Sequence, residues 1–301
     1  MSDRDPAIAR YDLHLHTFWS YDAFAQLESH FDQAQHLGVE CIAVTEHHVL
    51  DSTPDVIALA AKYPKVRVIP SAELTVTTSF GAFDLLCYGF PHQTDPSLRP
   101  ILSAYHAWQQ ETGAAICAGM QAIGHDYTDA HRAELLSGYR PEQTLQVQGQ
   151  THVSNRVQRE YFVERGFIEH IDDYRDVLRA AGGQVPFPPY PAVDTVIPAV
   201  KALGVAVGIA HPHGYFAQGD RQRMDAVREE CQLDGVECAH QSVPVEFTPV
   251  YRAYCVEHGL FSTGGSDSHT DEDVRTKFAR HGGEDEWLDE LLPRVADRVV
   301  N

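Results

Sequence analysis

Short runs of β-branched and apolar residues alternate along the chain with longer stretches whose apolar positions recur at helical spacing. The short runs predict strands at residues 9–16, 40–45, 66–75, 82–89, 205–210, 235–238 and 260–263. Helical spacing falls between several of them, at 23–37, 55–62, 193–203, 220–230 and 246–258. Strand–helix alternation of this kind predicts an α/β fold with a parallel sheet, and over this length a barrel rather than an open sheet. No G-x-G-x-x-G or P-loop follows any strand, which argues against a nucleotide-binding open sheet.

From residue 95 to 183 the pattern changes. The text is polar and helical, with helices expected at 100–123, 155–166 and 172–181 and no confident strand. This stretch reads as an insertion covering the active face of a discontinuous barrel formed by 8–94 and 184–301. The tail, 284–300, places Trp287, Leu288, Leu291, Leu292, Val295 and Val299 at helical spacing, as expected of a helix packed on the barrel.

Composition narrows the function. With 23 basic and 43 acidic residues the formal charge is −20, which disfavours a long nucleic acid as partner but leaves room for a small anion. Six scattered cysteines without a C-x-x-C argue against disulfides and a thiolate zinc site. No apolar run is long enough for a membrane helix, and the opening Met-Ser-Asp-Arg-Asp-Pro lacks the order of a signal peptide, so a cytoplasmic protein is expected. Histidine is the anomaly: 18 imidazoles in 301 residues suggest metal.

The histidines and acids gather at strand ends. His14 and His16 in Tyr11-Asp-Leu-His-Leu-His-Thr17 share one face of a strand and can chelate one ion. Other strands run into Glu46-His47-His48, into Glu73, into Ala210-His-Pro-His213 and into Gly265-Ser-Asp-Ser-His269, and Asp84 lies within another. Ligand-type residues at so many strand ends are what a barrel presents on its functional face. On the residues alone, Asp22 reads equally as a helix N-cap and His152 as a surface histidine. His30, His36, His92, His106, His131, His170, His240 and His258 have no evident partner and read as surface or interface.

Asp12-Leu-His-Leu-His-Thr17, Thr45-Glu-His47, Ala72-Glu73, Ala210-His-Pro212 and Gly265-Ser-Asp-Ser-His269 together resemble the PHP domain, a family of metal-dependent phosphoesterases named for polymerase and histidinol phosphatase. The chain is most similar to the branch with an inserted helical domain, which includes nucleoside 3′,5′-bisphosphate phosphatases and 5′-to-3′ exoribonucleases; Thr151-His152-Val153 and Ala181-Gly-Gly183 carry that part of the likeness. The resemblance implies a distorted (β/α)7 barrel with two or three divalent ions, Zn, Mn or Fe. His14, His16, Glu73 and Asp267 would hold one. Glu73, Asp84 and His152 would hold a second, and Asp22, His47 and His269 a third, with Asp12 and Glu46 supporting them. His211 or His213 would protonate the leaving group or steady the phosphate. The chain departs from the family at Glu46, where an aspartate is usual, and at Asp84, where a histidine is usual. It also lacks arginine before His152, and Arg132, Arg156 and Arg159 are the candidates to bind substrate phosphate instead.

The expected chemistry is hydrolysis of a phosphate mono- or diester in a small nucleotide or sugar phosphate, since clustered divalent ions activate water and neutralise phosphate charge. Two other readings stand beside it. An amidohydrolase-type enzyme also begins with H-x-H and ends on a barrel aspartate, but would cut C–N or C–O bonds. A metal-binding PHP module without catalysis is the other.

Overall fold

The computed structural model describes residues 7–217 and 219–301. The opening residues 1–6, which carry the reading against a signal peptide, lie outside the described residues. No helix among the described residues is long and apolar enough to cross a membrane.

Among the described residues, eight strands form the sheet: β1 (Tyr11–Leu15), β2 (Cys41–His47), β3 (Arg67–Val68), β4 (Ser71–Thr78), β5 (Gly81–Tyr88), β6 (Ala206–Ile209), β7 (Gly235–His240) and β8 (Phe261–Gly265). Seven of them follow one hydrogen-bonded path, β1-β2-β4-β5-β6-β7-β8, with β3 beside β2. The ends of the path meet. His16 N donates to Ser268 O at 3.0 Å and Asp267 N to His14 O at 2.8 Å, so the sheet is a nearly closed, distorted (β/α)7 barrel.

Two differences from the sequence expectation matter. The predicted strand 66–75 is interrupted at Pro70, which has no N–H to give to a ladder. The sheet is also not wholly parallel: β5 runs antiparallel to both β4 and β6. Only Ser79 and Phe80 separate β4 from β5, and a parallel crossover needs a dozen residues or more. The reversal puts the first half of β5, and with it Asp84, at the mouth where β4 ends.

One apolar core joins Leu13, Ala43, Leu74, Leu85, Val207 and Val236 of the strands, and Trp287, Leu288, Leu291 and Val295 of the tail belong to it. A second packs Leu15, Ile42 and Val44 against Phe31, Ala34, Val56 and Leu59 of the helices Leu27–Leu37 and Thr53–Ala60. Between β5 and β6 the chain forms the helices Arg99–Ala122, Asp129–Tyr139, Glu142–Gln148, Asn155–Glu164 and Tyr174–Gln184 before the barrel helix Val193–Ala202. This segment has a core of its own around Met120, Tyr127, Phe162 and Tyr174.

Candidate metal centre

Glu73, at the middle of the mouth and 1% exposed, is the residue on which the others converge. Its Oε2 lies 3.1 Å from His14 Nε2, 3.3 Å from His16 Nε2 and 3.2 Å from His47 Nδ1, while its Oε1 lies 3.2 Å from His211 Nε2. Asp267 Oδ1 closes the first group at 3.4 Å from His14 Nε2 and 3.2 Å from His16 Nε2. Asp22 Oδ2 faces His47 Nε2 at 3.6 Å and His269 Nε2 at 3.8 Å. Asp84 Oδ2 stands 3.8 Å from His211 Nε2.

These spacings fit divalent cations. Ligands held tetrahedrally at about 2.1 Å stand about 3.4 Å apart, and neighbouring ligands of an octahedron about 3.0 Å apart. Among the described residues, four sets of three donors have all their ligand atoms within 4.8 Å of one another: His14/His16/Glu73, His14/His240/Asp267, Glu73/Asp84/His211 and His16/His47/His269. His16 Nε2, His240 Nε2 and Asp22 Oδ1 are buried and make no hydrogen bond among the described residues. Buried polar atoms are rarely left so, and a cation would satisfy each of the three.

The imidazoles are aimed by their far nitrogens, as metal-binding histidines usually are. His14 Nδ1 pairs with Glu237 Oε1 at 3.0 Å, and His269 Nδ1 with Asp267 O at 2.9 Å. His16 Nδ1 meets Ser20 Oγ at 3.2 Å, and that hydroxyl donates to Glu46 Oε2 at 2.5 Å. Glu46 also accepts from Thr17 N and Thr17 Oγ1, so it braces the loop after β1 and does not enter the cluster. Asp12 likewise acts from outside, accepting from Ser266 N at 2.9 Å and Ala279 N at 2.7 Å. A capping box between Thr270 and Asp273 starts the helix Asp271–Lys277 and fixes the loop that carries Asp267 and His269.

The backbone is shaped to the same end. Asp267 (φ 52), His211 (φ 28) and His48 (φ 67) all take left-handed conformations just past strand ends, costing on the order of 1–3 kcal/mol each and re-aiming the side chain. At Gly265 a Cβ would collide with the His14 side chain and stand 2.7 Å from its N and 2.9 Å from its Cα, so only glycine lets β8 close against β1. Gly265→Ala is expected to lose about 1–3 kcal/mol of stability, from overpacking against backbone that cannot give. A chemical-denaturation midpoint equal to the wild type's would refute this.

Electrostatics make the centre a demand for positive charge. Burial pushes the Glu73 and Asp267 carboxyls up, but His14 with His47, and His14 with His269, outweigh it and hold both well below the usual carboxylate range. Burial lowers His14, yet Glu237, Glu73 and Asp267 raise it well above an ordinary imidazole. His211 follows suit at about 9, where the hydrogen bond and charge of Glu73 overcome burial. A divalent cation held there would supply that positive charge and would have to displace any imidazole protons to bind.

Not every residue expected at the site belongs to it. His152 does not join Asp84. Its ring lies 4.0 Å from Tyr21 and 5.3 Å from Trp108, burial holds it down to about 4, and the carboxylate it feels is Asp22. The partner of Asp84 and Glu73 is His211, which the sequence had offered as a proton donor. His213 starts the short helix His213–Phe216, and its ring packs 4.7 Å from Phe247, away from the cluster. Arg132 is buried in the helical segment, bound to Gln110 O at 3.0 Å and Asp129 at 2.9 Å, so it cannot reach substrate. Arg156 and Arg159 do line a cavity of about 330 Å3 beside Asp22 and His269.

Two residues were missed. Glu237 holds His14 and also accepts from His211 N at 2.7 Å. His240 is 5% exposed and lies 3.4 Å from Asp267 Oδ2, contrary to the surface reading. The pairing of β7 with β8 shifts register between Glu237 and Ala239, so residues three apart serve one site and strict alternation could not have found both. His30 is also buried, donating through Nε2 to His16 O at 2.9 Å.

A model of the PHP domain matches residues 12–182, more than half of the chain. The chain belongs to the PHP domain family. No curated protein sequence matches it. Among solved structures, this PHP chain is similar to a candidate metal-dependent phosphoesterase from Bifidobacterium adolescentis, at 22% identity and TM-score 0.71, covering 94% of this chain and 96% of that one. It is also similar to an amidohydrolase from Chromobacterium violaceum, solved with bound sulfate and no metal, at 18% identity and TM-score 0.75, covering 97% and 98%. Both likenesses concern the fold. The PHP match stops before β6, so His211, Glu237, Asp267 and His269 lie outside the matched residues.

Proposed function

We propose that this PHP protein is a metal-dependent phosphoesterase that hydrolyses a phosphate mono- or diester of a small nucleotide or sugar phosphate. The carrying observation is the Glu73 carboxylate, one oxygen facing His14, His16 and His47 and the other His211, with Asp267, Asp84 and Asp22 around it. His14, His16, Glu73 and Asp267 would hold one divalent cation; Glu73, Asp84 and His211 a second; Asp22, His47 and His269 a third. Mixed imidazole and carboxylate donors suit Zn, Mn or Fe. When bound, such ions supply Lewis acidity, an activated water and charge neutralisation on phosphate.

The protein's own groups select the substrate. Arg156 and Arg159 flank the cavity beside Asp22 and His269, and Ser154 and Asn155 bring the N-terminus of the helix Asn155–Glu164 to the same wall. Guanidinium forks and a helix N-terminus both favour phosphate oxygens. A second cavity of about 540 Å3 adjoins His240 and Gly265, and pockets of this size accept nucleotide-sized groups. We also propose that the segment 95–183 covers the active face. Arg140 and Gln148 bind Trp19 O at 3.3 and 3.1 Å, and Tyr139 binds Tyr21 O at 2.6 Å, gripping the loop that carries Asp22.

The test is a substrate panel on protein reconstituted with Zn, Mn or Fe, spanning mononucleotides, 3′,5′-bisphosphates, cyclic phosphates and short RNA. Phosphate release supports the proposal. Turnover of amides or lactones alone would establish the amidohydrolase reading, and metal without turnover a non-catalytic module. Within an active panel, Arg159→Ala is expected to raise KM about tenfold, the loss of one charged hydrogen bond of about 1.5 kcal/mol, with little change in kcat. An unchanged KM would remove Arg159 from the substrate site.

A further inference from the structure

We propose that Gln109, His48 and Thr75 form a one-way hydrogen-bond relay that positions Asp84 as a cation ligand and ties the helix Arg99–Ala122 to that one cation position. The inference rests on the cation reading of the cluster. Thr75 stands opposite Asp84 in the β4–β5 ladder, and its Oγ1 donates to Asp84 Oδ1 at 2.5 Å. A hydroxyl has a single hydrogen. Thr75 Oγ1 is therefore an acceptor toward His48 Nε2, 2.8 Å away. That assigns the ring its Nε2–H tautomer and leaves Nδ1 to accept from Gln109 Nε2 at 3.3 Å. Gln109 Nε2 also faces His47 O at 3.5 Å, which keeps the nitrogen of its amide on this side. Every link thus points toward Asp84.

The other carboxylate oxygen is held from the barrel side. Tyr215 Oη donates to Asp84 Oδ2 at 2.5 Å and accepts from Asp84 N at 3.2 Å. Each oxygen accepts one hydrogen from these side chains and keeps lone-pair capacity for the space shared with Glu73 and His211. His48 cannot swing away: it is 1% exposed, stacked 4.8 Å from Tyr105 at 3°, with Trp108 edge-on at 5.3 Å. Its left-handed φ of 67° holds it between α-helical segment and barrel at some cost, as expected of a residue kept for position. Outer partners of metal ligands tune affinity in this way.

Reversing the relay is the test. In Gln109→Glu, read at a pH where His48 stays neutral, the carboxylate accepts from His48 Nδ1–H, so His48 Nε2 becomes the acceptor and draws the Thr75 hydrogen off Asp84. Thr75→Val removes the link and Thr75→Ser keeps it. Cation content by ICP-MS and calorimetric titration with Mn2+ are the readouts, with circular dichroism to confirm folding. One equivalent is expected to weaken by about 10–100-fold in Gln109→Glu and Thr75→Val. The remaining equivalents, and all of those in Thr75→Ser, should match the wild type. Should Thr75→Val fail to fold, Gln109→Glu decides alone. Wild-type affinity at every equivalent, or equal weakening of all of them, overturns the relay. A wild-type protein that binds no divalent cation overturns the cation reading and the relay together.

Discussion

Asp267→Ala is expected to cost at least about 10^3-fold in kcat/KM, roughly 4 kcal/mol of transition-state stabilisation, while leaving the circular dichroism spectrum intact. Asp267 meets His14 and His16 through one oxygen and His240 through the other, so its removal opens two donor groups at once. It lies on a loop that is 21% exposed at this side chain and pinned independently by the Thr270–Asp273 capping box, so the barrel should tolerate the loss. His14→Ala should abolish turnover equally. It carries a greater risk to stability because it takes from the buried Glu237 the imidazole paired with its Oε1 and from the buried Glu73 one of its charge partners. Steady-state kinetics on the phosphate ester with the highest turnover give the answer, and a variant working at the wild-type rate would show that the chemistry lies elsewhere.

Chelation is expected to have the largest effect on stability. An ion present at a thousand times its dissociation constant stabilises the native state by about 4 kcal/mol, so two ions contribute about 8 kcal/mol. At roughly 2 °C per kcal/mol for a chain of this size, EDTA should lower the melting midpoint by about 15 °C, and added Mn2+ or Zn2+ should restore it. The reason lies in the burial of the acids. Glu73 and Asp267 crowd one mouth among histidines, and only positive charge makes that arrangement favourable. Differential scanning calorimetry with and without chelator measures the shift directly. Coincident melting curves would mean that no cation contributes to the native state.

Much of this was legible along the chain because local rules govern it. The β-branched runs marked the strands, and the two-residue periodicity of a strand put His14 and His16 on one face. Asp267 and His269 stood in a loop just past a strand, where a barrel keeps its reactive groups, and the tail helix showed its apolar stripe. What depended on direction was not legible. Nothing local told that β5 runs backwards, although the short gap after β4 was a signal that could have been used.

The sequence by itself determined the elements, the family resemblance and most of the donor inventory, because propensity, periodicity and motif spacing act over a few residues. Only the tertiary structure decided which donors share a cation position. His211 takes the place beside Asp84 that the family resemblance assigned to His152, since the Ala210-His-Pro turn enters from β6 while His152 stops against Tyr21 and Trp108. Glu237 and His240 became visible only once a register shift in β7 turned both inward. Ligation depends on distances of about 3 Å between atoms as far apart in sequence as His14 and Asp267, and such distances are set by barrel closure and strand direction, which no local pattern encodes.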